Sequence, residues 1–374
     1  MKVLFLCGSL EFGKDGVGDY TRRLSAELLR SGIQVGILAY KDGFVKSITE
    51  TNQKEEGFSI SCLRLPGTLP HKARINKCKA WIELKNPEWL SLQFVPYSFN
   101  YKGLPFGLGG HLKELGGDRK WHIMFHELWL GLRKTDSIKF KCIGFFQKQI
   151  VKSLQSKLKF EAVHTHTKFY MKELEKMNFK PKYLPIFSNI KFDSNSNKDE
   201  FKFDKETLVF AHFGTIHPNV PIQEFANELF LYSQSVINKR ILLVLLGRSG
   251  LELGHWEEEL KKNQIAYYVL GELPNEKVSH ILQKATYGLT TNPVFVLEKS
   301  GTVAAMREHN LPILVVSENT SPRNGTEINL DNGFFKYKAG NLNRFINSGN
   351  SNLNVRAKGV NEVSLQFIKD LVLE

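Results

Sequence analysis

The chain predicts an α/β protein of two Rossmann-like domains facing each other across a cleft, and three observations carry that prediction. Apolar runs of strand length alternate with segments of helical period through most of the 374 residues, the pattern of a parallel sheet with helical crossovers. The layout occurs twice, each time opening with a strand and a glycine-bearing turn. A polar stretch separates the two halves, and at about 150 residues per domain the length itself asks for two. This places an N-terminal domain at 1–190, a linker at 191–206 and a C-terminal domain at 207–374.

In the first half, Lys2 to Cys7 reads as a buried strand, Tyr20 to Arg30 as a helix with Leu24, Ala26, Leu28 and Leu29 on one face, and Gln34 to Ala39 as a second strand. Trp89 to Phe94, Trp121 to Phe125 and Glu161 to His164 are later strands of the same sheet, each ending on polar residues. The stretch Lys-Phe-Asp-Ser-Asn-Ser-Asn-Lys-Asp-Glu from Lys191 cannot fill a core. Beyond it, Leu208 to Phe213 starts the second sheet, followed by a helix over Ile222 to Ser233, a strand over Ile241 to Leu246, a helix near Trp256 and a strand over Ala266 to Leu270. Tyr287 to Leu289 and Pro312 to Val316 complete that sheet. The last helix, Val363 to Leu373, is able to pack on either half, including back on the N-terminal domain.

Composition narrows the function classes. Lysine and arginine number 51 against 38 aspartate and glutamate, a formal charge of +13. Cys7, Cys62, Cys78 and Cys142 are widely spaced with no C-x-x-C, which excludes a disulfide framework or a cysteine zinc module and fits a reducing cytoplasm. No apolar run approaches the roughly 20 residues that a membrane-spanning helix needs.

Chemistry concentrates in turns that follow strands. The first reads Gly8-Ser9-Leu10-Glu11-Phe12-Gly13-Lys14-Asp15-Gly16-Val17-Gly18-Asp19. It is too long for G-x-G-x-x-G and lacks a Walker Lys-Ser/Thr ending. Gly16 and Gly18, just before a helix, would let backbone N–H groups approach an anion; the plain alternative is a surface loop whose glycines satisfy turn geometry. The string Gly16-Val17-Gly18-Asp19-Tyr20-Thr21-Arg22-Arg23-Leu24, with Gly32-Ile33-Gln34-Val35 after it, resembles the opening of family 4 glycosyltransferases of the glycosyltransferase-B fold. In that family a G-G-V-G loop faces the donor diphosphate, which the resemblance carries to Gly16 and Gly18. The chain departs at Asp15, where a glycine is usual, and at Gln34, where a histidine is usual.

The second segment runs from Pro293 through Glu298-Lys299-Ser300-Gly301-Thr302 to Met306, then His309 to Val315. A loop ends there at a helix start. Ser300 or Thr302 is a ready N-cap, Gly301 admits a close ligand and Lys299 supplies a point charge, together a phosphate site at a helix N-terminus. A merely capped helix is the alternative. It resembles the family's E-G-x-G-x-x-x-x-E region, which holds the nucleotide sugar between two glutamates. Glu298 and Gly301 match, but Met306 stands where the second glutamate belongs, leaving Glu308 as the one substitute nearby.

Phe125-His126-Glu127 ends a strand. Leu130 occupies the place of the second histidine of H-E-x-x-H, so the zinc-protease motif is excluded. The resemblance aligns His126 with the family histidine that contacts the donor sugar; otherwise it is a strand-end histidine satisfied by hydrogen bonds. Gln93 to Tyr97 lies on the same rim and reads equally as acceptor lining or as aromatic packing. His164 and His166 share a strand face but lack a visible third ligand, so no metal is expected. In the second half Gly214 and Gly247-Arg248 follow strands. The family's R-x-x-x-x-K-G is absent after Phe213, which makes Arg248 and Lys299 the cationic candidates by position.

Between Gly131 and Lys182 stand 13 lysines and arginines against 4 acids, interleaved with Ile138, Phe140, Phe145, Phe146, Ile150, Val151 and Leu154. The segment reads equally as a basic amphipathic helix on the inner face of an anionic membrane or as a core-facing helix with a solvated lysine face. No nucleic-acid motif accompanies the charge. The resemblance implies a glycosyltransferase that moves a sugar from a nucleotide-diphosphate sugar to a carbohydrate, lipid-linked or small-molecule acceptor, with retention, without metal or further cofactor. Catalysis is expected at His126 from the resemblance and at Lys299 and Arg248 from position, and the donor contact at Gly16, Gly18, Gly214, Glu298, Ser300, Gly301 and Thr302. A glycosyltransferase-like protein that binds a carbohydrate or partner without turnover is the rival, motivated by the missing glutamate. An epimerase or phosphorylase of the same fold is a further one.

Overall fold

Strand β1 (Lys2–Cys7) is apolar on both faces because it runs down the middle of a parallel sheet, with β2 (Gln34–Asp42) on one side and β5 (Trp89–Phe94) on the other. The computed structural model describes residues 1–193, 202–235, 239–326, 328–348 and 357–373. These fall into two units: Met1–Pro185 with Ser321–Thr326 and Val360–Glu374, and Ile186–Thr320 with Glu327–Gly359.

The first unit holds an eight-stranded sheet in the order β3-β4-β2-β1-β5-β6-β7-β8. Its helix α1 (Gly16–Arg30) starts four residues before the helix expected at Tyr20, because Asp15 caps it: one carboxylate oxygen accepts from the N–H groups of Val17 and Gly18, both at 2.9 Å. A hairpin of the polar β3 (Thr49–Glu55) and the half-apolar β4 (Phe58–Pro66) extends the sheet beyond β2, turning at Glu56 and Gly57 with positive φ. Helix α2 (His71–Lys85) leads to β5. Helices α3 (Pro96–Phe99) and α4 (Leu108–Gly116) lead to β6 (Lys120–Phe125), and α5 (Ile138–Leu158) to β7 (Ala162–Thr165). Helix α6 (Lys168–Glu175) and the short β8 (Lys182–Tyr183) close the series.

The second unit is a six-stranded parallel sheet in the order β11-β10-β9-β12-β13-β14. Its strands are β9 (Thr207–Phe213), β10 (Arg240–Leu246), β11 (Ala266–Gly271), β12 (Tyr287–Thr290), β13 (Ile313–Val315) and β14 (Phe334–Lys336), and the helices between them are α7 (Ile222–Ser235), α8 (Leu253–Lys262), α9 (Asn275–Lys284) and α10 (Gly301–Glu308). Counted from β9, the order is the 3-2-1-4-5-6 of a dinucleotide-type sheet. Two apolar layers flank it, one around Phe210, Phe225, Trp256 and Phe345, the other around Val244, Ile281, Met306 and Ile313. Helix α11 (Leu342–Asn347) belongs to the first layer.

The last helix, α12 (Val360–Val372), is part of the first unit, where Phe367 stacks on Phe5 at 5.9 Å. Of the stretch expected to be a linker, residues 194–201 lie outside the described residues. Its beginning packs on the second unit: the Asp193 N–H donates to Ser279 Oγ at 3.1 Å, and Gln283 Nε2 donates to the Asp193 carbonyl at 2.8 Å. Among the described residues no helix is long and apolar enough to cross a membrane.

Candidate functional site

In open parallel sheets a crevice forms at the carboxyl ends of two neighbouring strands whose connections leave in opposite directions. The second unit reverses between β9 and β12, and the loops after these strands meet there. Gly214, at φ +101°, closes β9; a Cβ on it would stand 3.0 Å from Thr302 Cγ2, so the loop lies directly against the start of α10. The His217 N–H donates to Thr291 Oγ1 at 3.0 Å, which in turn donates to the Thr215 carbonyl. His217 Nε2 and Asn292 Oδ1 are 3.2 Å apart, and Asn292 Nδ2 donates to Ser300 Oγ at 3.3 Å.

Ser300 is the N-cap of α10. Its hydroxyl accepts from the Val303 N–H and lies 3.1 Å from Thr302 Oγ1. Gly301 has open space where a side chain would be. The crevice is thus lined by hydroxyls, one amide and a helix N-terminus, a set that donates hydrogen bonds without bringing fixed charge. Glu298 and Lys299 end the 3-10 segment Val294–Lys299 before it and are half-buried. Arg248 follows β10 and is exposed, in an ion pair with Glu272 at 2.5 Å.

Met306, in the position of the second glutamate, is fully buried beneath β12: a Cβ on Gly288 would meet its sulfur at 2.9 Å. That position faces the sheet. Glu308 ends α10, half-buried.

In the first unit the reversal falls between β1 and β5, and the protein fills it. A Cβ on Gly8 would meet Ser98 Cβ at 2.6 Å, and one on Gly18 would meet the Ser9 carbonyl oxygen at 2.7 Å. Gly18 is glycine because the loop crosses it. Asp15 already occupies the N–H groups of Val17 and Gly18, and burial raises its pKa despite them. Asp42 accepts from the Leu10 N–H and pairs with Arg64 Nε at 2.7 Å. Burial would raise Asp42, but Arg64 and the backbone donors hold it below the ordinary carboxylate value. The diphosphate contact expected at Gly16 and Gly18 therefore meets a helix N-terminus that the chain caps with its own carboxylate.

His126 belongs to a buried line of side chains. Asp370 Oδ2 on α12 meets His164 Nε2 at 3.0 Å, His164 Nδ1 meets His122 Nε2 at 3.0 Å, and His122 Nδ1 meets Ser91 Oγ at 2.7 Å. Gln93 Nε2 lies 2.8 Å from that hydroxyl and Gln93 Oε1 2.9 Å from His126 Nε2. His126 Nδ1 then meets His166 Nε2 at 3.0 Å, and His166 Nδ1 reaches the Leu184 carbonyl at 2.9 Å. Both ends of the line are acceptors. The four neutral imidazoles, the Ser91 hydroxyl and the one Gln93 N–H that faces it supply six protons for seven contacts, so the line is complete only with one added proton.

Burial holds His122 well below its ordinary value. Burial alone would raise Asp370, but the hydrogen bond with His164 and the charge of Lys182 keep it low. Both ring nitrogens of His126 have hydrogen-bond partners inside this unit. His164 and His166 are likewise taken up in the line. Among the described residues no group of three or more His, Cys, Asp or Glu side chains is placed to hold a metal ion. Sequence reasoning missed His217, Asn292 and Asp370. The polar residues that follow β9 and β12, Thr215 and His217 in one loop and Thr291 and Asn292 in the other, are the signal that points to the first two.

Neither a protein-family model nor a curated protein sequence matches the chain. Solved structures do. Anabaena Alr3699/HepE in complex with UDP and glucose is similar over 100% of both chains at TM-score 0.62 and 15% identity. An E. coli trehalose-6-phosphate structure bound with UDP-2-fluoro glucose covers 99% of both chains at TM-score 0.59 and 10% identity. A putative UDP-N-acetylglucosamine 2-epimerase from Listeria monocytogenes matches 99% of this chain and 95% of its own at TM-score 0.53 and 10% identity. At such identities the likeness establishes the fold, and that fold is glycosyltransferase-B.

Proposed function

We propose that the chain is a glycosyltransferase that uses a nucleotide-diphosphate sugar, with the donor diphosphate at the β9–β12 crevice of the second unit. The observation that carries the reading is the start of α10, where Ser300 caps the helix, Gly301 leaves open space and Thr302 lies against Gly214 at the reversal point of a dinucleotide-type sheet. Neighbouring structures hold UDP or a UDP sugar, which supports a uridine nucleotide as the first donor to try.

When the glycosidic bond to the diphosphate breaks, negative charge grows on the leaving oxygens. N–H groups at a helix start and nearby hydroxyls stabilise it without reorganising, and Lys299 adds a cation from the preceding turn. Arg248 joins once it gives up Glu272. Glu298 is the ribose-side carboxylate in this reading, with Glu308 as the candidate for the second. No metal or further cofactor takes part, and configuration is retained. His126 acts as a positioning residue for the loop after β6. The acceptor belongs to the first unit, whose helix α5 exposes Ile138, Phe140, Phe145 and Phe146 beside lysines, a surface suited to peripheral contact with an anionic membrane.

Thermal stabilisation by UDP, GDP, ADP and their sugar conjugates tests the reading, since a ligand of the folded state raises apparent stability by RT ln(1 + [L]/Kd). A shift with one nucleotide, followed by transfer to an acceptor with the anomeric configuration retained, supports it. Rearrangement of the nucleotide sugar without an acceptor would make the chain an epimerase, and binding without any turnover a binding protein.

A further inference from the structure

A cavity of about 430 Å³ lies within the first unit, lined by residues after β6, by the first turns of α5, by the end of α6 and by Arg323 and Asn324. Its volume suits a small ligand. Its wall is locked in place. The Leu130 N–H donates to Gln147 Oε1 at 2.8 Å, and Gly144 is glycine because a Cβ there would stand 1.9 Å from the Leu130 carbonyl oxygen. Gly131, at φ +77°, crosses the Lys141 backbone.

The lining is cationic: Lys141, Lys148, Lys176 and Arg323 against the single carboxylate of Glu173. Glu173 is already matched, by Lys176 at 2.9 Å and by Asn324 Nδ2. Lys148 is not. Its ammonium lies 4.7 Å over the Trp129 ring and makes no ion pair or hydrogen bond among the described residues. Desolvation lowers its pKa, and the nearby charges of Arg323, Lys176 and Lys152 lower it further against the opposing effect of Glu173. The Trp129 indole N–H is buried without a partner as well. A cavity with an unmatched lysine and an idle indole donor lacks an anion.

We propose that this cavity binds a phosphoryl group carried by the acceptor. The assignment rests on the glycosyltransferase reading for the word acceptor, and on the cavity alone for the anion. Its probe is inorganic pyrophosphate, titrated calorimetrically into protein saturated with UDP so that the donor crevice is occupied. One equivalent binds, and Lys148→Met combined with Arg323→Ala weakens it by about tenfold or more, while UDP affinity stays as in the parent and reports an intact fold. Arg323 is exposed, so the single Arg323→Ala variant folds in any case and weakens binding in the same direction. Competition by a soluble hexose phosphate identifies a free sugar phosphate as the source, and competition by phosphatidylcholine vesicles carrying an alkyl phosphate identifies a lipid one. Pyrophosphate that does not bind, or that binds the double variant as tightly as the parent, overturns the proposal. If UDP itself fails to bind, the donor reading falls, and the same titration without UDP still decides the cavity.

Discussion

The two sheets reverse direction in the same way and treat the reversal point oppositely. At β1–β5 the chain packs its own atoms into the crevice, Gly8 against Ser98, and caps α1 with Asp15. At β9–β12 it leaves hydroxyls, an amide and the start of α10 around an opening. A helix N-terminus is an anion site only when the chain does not supply the anion itself. The difference between Asp15 and Ser300 as N-caps is the reason the diphosphate is proposed at the second unit.

That comparison breaks at identifiable places. The largest effect is expected from Asp370→Ala, which strips the acceptor from one end of the buried histidine line and costs about 3 kcal/mol, read by urea denaturation. An unchanged midpoint would mean the line does not hold α12 to its sheet. Gly8→Ala is next, at about 2 kcal/mol of overpacking against Ser98, whereas an alanine at Gly301 meets open space and leaves stability nearly unchanged.

Thr302→Val removes the hydroxyl beside Ser300 while keeping the shape, and weakens nucleotide binding about tenfold, or about 1.4 kcal/mol. Equal affinity would take Thr302 out of the donor site. The smallest effect concerns pH. Burial lowers His212 on β9 from 6.5 to about 3, so the unfolded chain takes up a proton that the fold refuses. Its contribution is fully present above pH 6.5 and is lost as pH falls from there towards 3. Between pH 7.5 and 6 the parent loses about 0.8 kcal/mol more than His212→Phe does, measured by denaturation at each pH.

Strands buried on both faces were legible, because each is a continuous apolar run: β1 and β5 coincide with their expected bounds, and β9 and β10 differ by a residue. The hairpin β3–β4 was not, since Thr-Glu-Thr-Asn-Gln-Lys-Glu pairs through its backbone at a sheet edge and shows no apolar period. The start of α10 was legible from Ser300 to Thr302, where cap chemistry is local. Gly18 looked alike for a different reason, because a ligand and a crossing loop both demand the absence of a side chain. Nothing local could show that Asp370 reaches His164 across 206 positions, or that Met306 faces the core.

A donor site at the β9–β12 crevice fixes where a nucleotide touches the second unit. Amide spectra of the isotopically labelled protein titrated with UDP read this residue by residue. The amides of Gly214, Asn292, Gly301 and Thr302 are expected to move most, in a saturable manner. A saturable titration that leaves these four unmoved while other residues shift would contradict the assignment of the donor site.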